Sequence, residues 1–232
     1  MRRIAPLFLI AVLASPAAAK PSAAREPVVV ELFTSQGCSG CPQANEVLME
    51  LADKPGVIAL TFAVDYWDYL GWRDTFAKPE FTERQRAYQT AMSLRDVYTP
   101  QFVIDGKRQL SGGKPDDVAA AVHEEAVHRA YPPDMAFPSA DRVAVGSGKS
   151  PRGGAQVWLV RYEDADQEVA VKRGENKGQT VRHGNVVREL VKLGSWKGRP
   201  AVFRLPKAEE PGLKTVVLVQ ARDGRILAAK QR

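Results

Sequence analysis

Val28-Val29-Val30-Glu31-Leu32-Phe33-Thr34-Ser35-Gln36-Gly37-Cys38-Ser39-Gly40-Cys41-Pro42 is the stretch whose reading decides this chain. Residues 28–33 are a near-continuous apolar run, the pattern of a strand covered on both faces. A short loop follows, then a Cys-x-x-Cys pair. Pro42 comes next and suits a first helical turn, where its missing N–H loses no partner. Cys38 and Cys41 are the only cysteines in 232 residues. Their place on the shoulder of a strand-to-helix turn makes them the first candidates for chemistry.

Working outward, Ala44, Val47, Leu48, Leu51 and Ala52 recur at helical spacing until Pro55-Gly56 stops the helix. Residues 57–64 read as a second apolar strand, so the opening is a parallel strand–helix–strand unit with a crossover. Residues 65–74 are dense in aromatics and acids, either a substrate-facing rim or a loop pinned by aromatic anchors. Residues 79–94 read as a helix with Phe81, Tyr88, Ala91 and Met92 on one side. Residues 102–104 form a strand, Asp105-Gly106 signals a hairpin, and residues 115–129 form another helix.

Residues 131–138 hold three prolines and read as a domain boundary. Beyond it, 142–145, 156–162, 168–172, 181–193, 201–205, 215–221 and 225–229 read as short strands separated by Gly, Asp and Pro clusters. Arg222-Asp223-Gly224-Arg225 is a further hairpin signal. About seven strands with such turns predict a β-sandwich. Within 185–193, Val186, Val187, Leu190 and Val191 would also suit one helical face.

The N-terminus has the form of a secretory signal peptide over residues 1–19. Arg2-Arg3 is its charged region, residues 4–13 its apolar core, and Ala17-Ala18-Ala19 its cleavage site. The apolar run is shorter than the roughly 20 residues of a membrane span, and no later run is long enough, so the mature chain has none. Export, to the periplasm or beyond, places the cysteines in an oxidising compartment. Two cysteines do not make a disulfide scaffold, so the fold rests on apolar cores, which 44% hydrophobic residues allow. The net charge is +6, with bases spread among acids and no basic stripe interleaved with aromatics. That excludes nucleic acid as the expected partner.

Residues 28–130 resemble a thioredoxin fold. The resemblance rests on Cys38-Ser39-Gly40-Cys41 after a buried strand, Thr99-Pro100 before a strand, and the Asp105-Gly106 hairpin. The fold class expected is an α/β thioredoxin-like domain at 28–130 followed by a smaller all-β, sandwich-like domain at 139–232. More widely, Glu31 to Pro42, Val64-Asp65-Tyr66-Trp67-Asp68, Tyr98-Thr99-Pro100-Gln101, and Gly174-Glu175-Asn176-Lys177-Gly178-Gln179-Thr180 resemble a bacterial family of secreted thioredoxin-like proteins. That family is known only as a domain of unknown function.

A cysteine at a helix N-terminus faces unpaired N–H groups and the positive end of the macrodipole. These favour its thiolate. The resemblance implies that Cys38 is the exposed nucleophile and that Cys41, one turn on, resolves the mixed disulfide. It also implies a cis Pro100 that holds Thr99 beside the sulfurs to pair with a substrate backbone. Oxidoreductases of this fold often carry a buried acid six residues before the first cysteine. Glu31 lies seven before. A one-residue slip reverses the face of a strand, so Glu31 is either a proton-transfer group or a strand-edge glutamate in water.

The function expected is an exported thiol–disulfide oxidoreductase acting on protein or small-thiol disulfides, with no cofactor. The alternative is a binding module, either a Cu(I) carrier or a partner-binding protein with a structural Cys38–Cys41 bridge. Cu(I) accepts few, soft ligands, whereas the pair alone leaves zinc short. His123 and His128 do not share a helical face and read as surface residues. His183 either lines a cleft against the first domain or is a polar loop residue.

Overall fold

The structure is a computed structural model and describes residues 26–127 and 132–232. The expected signal peptide lies outside the described residues, as does the end of the expected helix at 115–129. No helix among the described residues is long and apolar enough to cross a membrane.

Strand β1 (Val28–Thr34) is buried along its whole length. Helix α1 (Cys41–Ala52) returns the chain to β2 (Val57–Ala63), which runs parallel to β1 from Val28↔Val57 to Thr34↔Ala63. A single 3-10 turn (Asp68–Leu70) and helix α2 (Pro79–Ala91) lead to β3 (Gln101–Ile104). β3 pairs antiparallel with the other edge of β1, and β4 (Arg108–Ser111) turns back along it. Helix α3 (Pro115–Val127) follows.

Alternation along β1 sorts this half into two layers, because successive side chains leave a strand on opposite faces. Val28, Val30 and Leu32 pack with Leu48 of α1 and Val118 of α3. Val29 and Phe33 pack with Phe62 of β2 and with Phe81 and Tyr88 of α2. Being covered on both faces is why β1 and β2 read as unbroken apolar runs rather than alternating ones.

The second half adds β5 (Met135–Ser139), β6 (Arg142–Val145), β7 (Ala155–Glu163), β8 (Gln167–Ala170) and β9 (Thr180–His183). β10 (Val186–Trp196), β11 (Ala201–Arg204), β12 (Lys214–Ala221) and β13 (Ile226–Gln231) complete it. Four of these strands continue the first sheet, giving an eight-stranded mixed sheet in the order β13-β12-β7-β10-β2-β1-β3-β4. β11-β6-β5 form a second, three-stranded sheet, and β8-β9 a separate two-stranded ribbon.

The three-stranded sheet lies against one face of the added strands. Val143 and Val145 meet Val157, Leu159, Val217, Val219 and the fully buried Trp196. This part is sandwich-like, as expected. The opposite face of the same strands, through Val160, Val216 and Leu218, packs with Phe81 and Tyr88 of α2. The two halves therefore share a sheet and a core, where the sequence suggested consecutive domains.

The join is local. β10 runs parallel to β2 at Val186↔Thr61. Thr61 N–H donates to Asn185 O at 3.0 Å and Thr61 Oγ1 to Gly184 O at 2.6 Å, while Asn185 Nδ2 donates to Ala59 O at 2.9 Å. A second tie joins the two predicted hairpins. Ile226 N–H donates to Asp105 O at 2.8 Å. Gly106, at φ +62°, passes so close that a Cβ there would stand 1.9 Å from Gly224 O.

Two further readings change. The 185–193 stretch, open to a helical reading, is β10, and its long antiparallel ladder with β7 settles the matter. The proline-rich boundary contains β5, whose Met135 pairs with Val145.

Candidate functional site

Cys38 and Cys41 form a disulfide. The turn that carries them is closed by Cys41 N–H donating to Cys38 O at 3.1 Å. α1 begins at Cys41 with Gly40 as its N-cap, Pro42 in the first turn, no side-chain cap and no acid in that turn. The positive end of the helix is thus unneutralised from within α1. Ser39 and Gly40 are exposed, but Cys38 is 2% exposed and Cys41 fully buried. The resemblance implied an exposed Cys38, and the fold instead places its side chain beneath the surface.

The Thr99–Pro100 peptide is cis. A Cβ at Gly40 would lie 3.4 Å from Pro100 Cδ, so the proline stands against the Cys-x-x-Cys turn. Gly112, leaving β4, passes between α1 and the proline. A Cβ there would meet Ala44 Cβ at 2.6 Å and Pro100 Cγ at 2.8 Å. Buried Gln85 of α2 donates to Tyr98 O at 2.7 Å and to Gln101 Oε1 at 2.9 Å, which fixes the approach to the proline. Thr99, Pro100, Cys38 and Cys41 are thereby brought together.

The aromatic-acid stretch 65–74 is a pinned loop. Trp67 Nε1 donates to Thr99 Oγ1 at 2.8 Å, and Trp72 Nε1 to Gln36 Oε1 at 2.9 Å. Asp74 Oδ2 accepts Gln36 N–H at 2.7 Å. Burial raises the Asp74 carboxyl above its ordinary 3.8, with the hydrogen bonds from Gln36 and Phe76 opposing it. Both sides of the disulfide, the 35–37 loop and Thr99, are thus held by one segment.

Glu31 is not part of this constellation. It leaves β1 on the Val29 and Phe33 face, away from α1, as the one-residue offset allowed. It is fully buried, and Arg84 Nε meets its Oε1 at 2.6 Å and Arg84 Nη2 its Oε2 at 3.1 Å. Tyr88 Oη also donates to Oε2, and Gln220 Nε2 donates to Tyr88 Oη at 2.9 Å. Burial pushes the Tyr88 hydroxyl well above its ordinary 10, with the Arg84 charge opposing. The expectation of a proton-transfer acid behind the pair is corrected accordingly, and so is the alternative of a glutamate in water. Position 32, six before Cys38, is a leucine packed in the α1 core. A cavity of about 600 Å³ lies beside the Glu31 network, lined in part by Arg84, Tyr88, Trp158 and Leu190. No residue of the Cys38–Cys41 segment lines it.

Behind the cysteines lies a different polar group. Thr34 Oγ1 donates to Asn45 Oδ1 at 2.8 Å, and Asn45 Nδ2 faces Arg182 O at 2.9 Å and His183 Nδ1 at 3.1 Å. His183 is fully buried in β9 rather than exposed in a loop. Burial, helped by the nearby Arg188 charge, pushes its imidazole down to about 4. The ring is neutral at pH 7, accepts from Asn45 at Nδ1 and carries its proton on Nε2. Nε2 has no hydrogen-bond partner among the described residues. Asn45 sits one helical turn after Cys41, so this group continues inward from the pair.

The last contribution comes from the loop between β8 and β9. Asn176, fully buried, donates from Nδ2 to Gln36 O at 2.9 Å and to Cys38 O at 2.8 Å. Glu175 Oε2 accepts Ser39 N–H at 3.0 Å, and that bond holds the carboxyl below its ordinary 4.5. Asn45, Gln36, Asp74, Trp67, Glu175 and Asn176 were not singled out as site residues. The signal for the last two was present in the Gly174–Thr180 motif, with no partner for it visible in the sequence.

A family model described as a protein of unknown function, DUF1223, matches residues 29–220. The chain belongs to the DUF1223 family. The match spans the cysteine pair, the cis-proline and the β8–β9 loop, consistent with one unit built across both halves. A crystal structure of an Agrobacterium tumefaciens protein is similar to this DUF1223 chain at 30% identity and TM-score 0.71. The alignment covers 88% of this chain and 92% of that one. An endonuclease/exonuclease/phosphatase from Beutenbergia cavernae aligns at 19% identity, over 42% of this chain and 22% of its own. Its TM-score of 0.18 carries no argument. No curated protein matches.

Proposed function

We propose that this DUF1223 protein is an exported thiol–disulfide oxidoreductase, and that residues 28–130 are a thioredoxin-like unit carrying its Cys38–Cys41 pair. The observation that carries the reading is the disulfide at the start of α1 with the cis Thr99–Pro100 peptide against it. A strand end, an uncapped helix N-terminus and a neighbouring proline are what a reversible dithiol needs: a site for the thiolate and an edge for the incoming chain. In this reading Cys38 is the sulfur attacked and Cys41 the leaving and resolving sulfur. Thr99 supplies the backbone edge. Pro100 shapes that edge. Glu31 takes no part.

The burial of Cys38 favours a second reading, a binding module with a structural bridge or one that takes up Cu(I) when reduced. The two separate on the reduction potential of the pair, measured by equilibration in glutathione and dithiothreitol buffers, with and without Cu(I). A value of about −270 to −120 mV, the span of exchange proteins, supports exchange. Cys38→Ser then abolishes turnover with a disulfide substrate. A pair that never equilibrates, or full turnover in Cys38→Ser, overturns the reading.

A further inference from the structure

We propose that the tip of the β8–β9 ribbon, residues 173–178, is a substrate-selecting cap over the Cys38–Cys41 pair, closed by Asn176 and Glu175. It admits slender thiols and turns away bulky ones. The proposal rests on the redox reading of the pair.

Cys38 is buried although the two residues between the cysteines are exposed, so what covers it comes from elsewhere in the chain. The tip is fitted to the turn before the pair. A Cβ at Gly174 would stand 3.7 Å from Gly37 Cα, and Asn176 spans the carbonyls of Gln36 and Cys38. Glu175 holds Ser39 N–H from the solvent side.

The tip is a preformed piece. Gly178 N–H donates to Val171 O at 2.8 Å, Val171 N–H to Gln179 O at 2.9 Å, and Gln179 N–H to Asn176 O at 3.0 Å. The ribbon behind it is moored along α1, by Arg182 to Glu46 at 2.9 Å and by Asn45 to Arg182 O. Only a few bonds fasten the tip itself, and Asn176 Oδ1 is buried with no partner among the described residues. The closed position thus carries an unmet acceptor that opening to water, or an N–H from an incoming chain, satisfies. A tip that is rigid, moored at its base and lightly held at its end moves as a flap.

Glu175 also sets the electrostatics. Its carboxylate occupies a donor that would otherwise face a Cys38 thiolate, and adds a negative charge beside it. With the tip displaced, Ser39 N–H is free for the thiolate. Capping therefore hides the sulfur and withholds a stabilising donor at once.

The test is reduction of the oxidised full chain by two monothiols of like chemistry, 2-mercaptoethanol and a long-chain thiol-terminated polyethylene glycol. The first thiolate attacks Cys38 Sγ, the Cys38–Cys41 bond breaks, and the Cys41 thiolate takes up a proton. A second thiolate attacks the mixed disulfide at the thiol's own sulfur and frees Cys38. Two thiols become one disulfide and the pair gains two electrons and two protons. Each rate is referred to the rate of the same thiol with an unstructured peptide bearing an oxidised Cys-Ser-Gly-Cys.

The wild-type chain disfavours the polymer thiol by about tenfold beyond the peptide's own ratio. Asn176→Ala removes about tenfold of that discrimination and Glu175→Gln several-fold, in line with the two bonds and one bond each loses. Glu175 is exposed, so its variant tests the cap without disturbing the core even where Asn176→Ala fails to fold. Equal discrimination in wild type and Glu175→Gln, or none in wild type, overturns the cap alone. A pair inert to both thiols in every variant overturns the redox reading with it.

Discussion

His183 makes the acid stability of this protein predictable. Its imidazole is held at about 4 against an ordinary 6.5, because it is buried and Arg188 adds a positive charge nearby. At pH 7 the ring is neutral in both folded and unfolded chains. Between 6.5 and about 4 the unfolded chain binds a proton there and the folded chain does not. Stability therefore rises with pH across that window, is fully present above it, and is lost on acidification through it. At about 1.4 kcal/mol per pKa unit, the loss attributable to His183 is about 3 kcal/mol by pH 4. Asp74 acts in the opposite sense. Its carboxyl is raised by burial, so its contribution favours the fold at low pH. The reading therefore has to be a difference. Urea unfolding of wild type and His183→Gln from pH 7.5 to pH 4, compared at each pH, isolates the histidine, because Asp74 and the other carboxyls are common to both. Glutamine keeps an acceptor for Asn45 Nδ2. Its constant packing cost cancels in the slope. The variant flattens the acid limb by about 3 kcal/mol. Parallel pH profiles, or an NMR titration of the native His183 ring near 6.5, refute the reasoning.

Two further predictions concern the rest of the fold. Arg84→Ala leaves Glu31 buried and unpaired and destabilises by about 3–5 kcal/mol, whereas the Glu31→Leu/Arg84→Met pair recovers most of it. Neither change moves the reduction potential of Cys38–Cys41 by more than the scatter between repeat equilibrations, and a clear shift would return Glu31 to the redox site. Gly106→Ala drives a Cβ into Gly224 O and costs about 1–3 kcal/mol or more in urea unfolding. Gly56→Ala, at a similar φ but with open space around it, costs only about 1 kcal/mol. Equal effects would mean the two hairpins do not hold each other.

Parts of this architecture were plain in the residues. Strand β1, the turn into α1 and the two hairpins announce themselves through short-range chemistry: an apolar run, a proline at a helix start, Asp-Gly at a turn. The cis Thr99–Pro100 bond came through family likeness instead, since the dipeptide alone does not set its isomer. The strands of the second half were visible from their turn spacing, yet β5 hid behind Pro132, Pro133 and Pro138. At 185–193, two periodicities fit the same apolar residues, and only the ladder with β7 chose between them.

What the sequence by itself determined is local: where the cysteine pair sits, that it opens a helix, and which segments are strands and helices. The tertiary structure decided what meets what. Glu31 and Leu32 differ by one position, and the pleat of β1 alone sends the acid to Arg84 and the leucine toward α1. Thr61, Asn185 and Gly184 are ordinary residues until β10 is laid on the edge of β2 and makes two halves one sheet. The Gly174–Thr180 motif gained its meaning in the same way, when Asn176 was found on the carbonyl of Cys38, 138 residues away along the chain. Pairings across that distance depend on faces and edges that exist only after folding. That is why the chemistry of the pair was legible from the start and its covering was not.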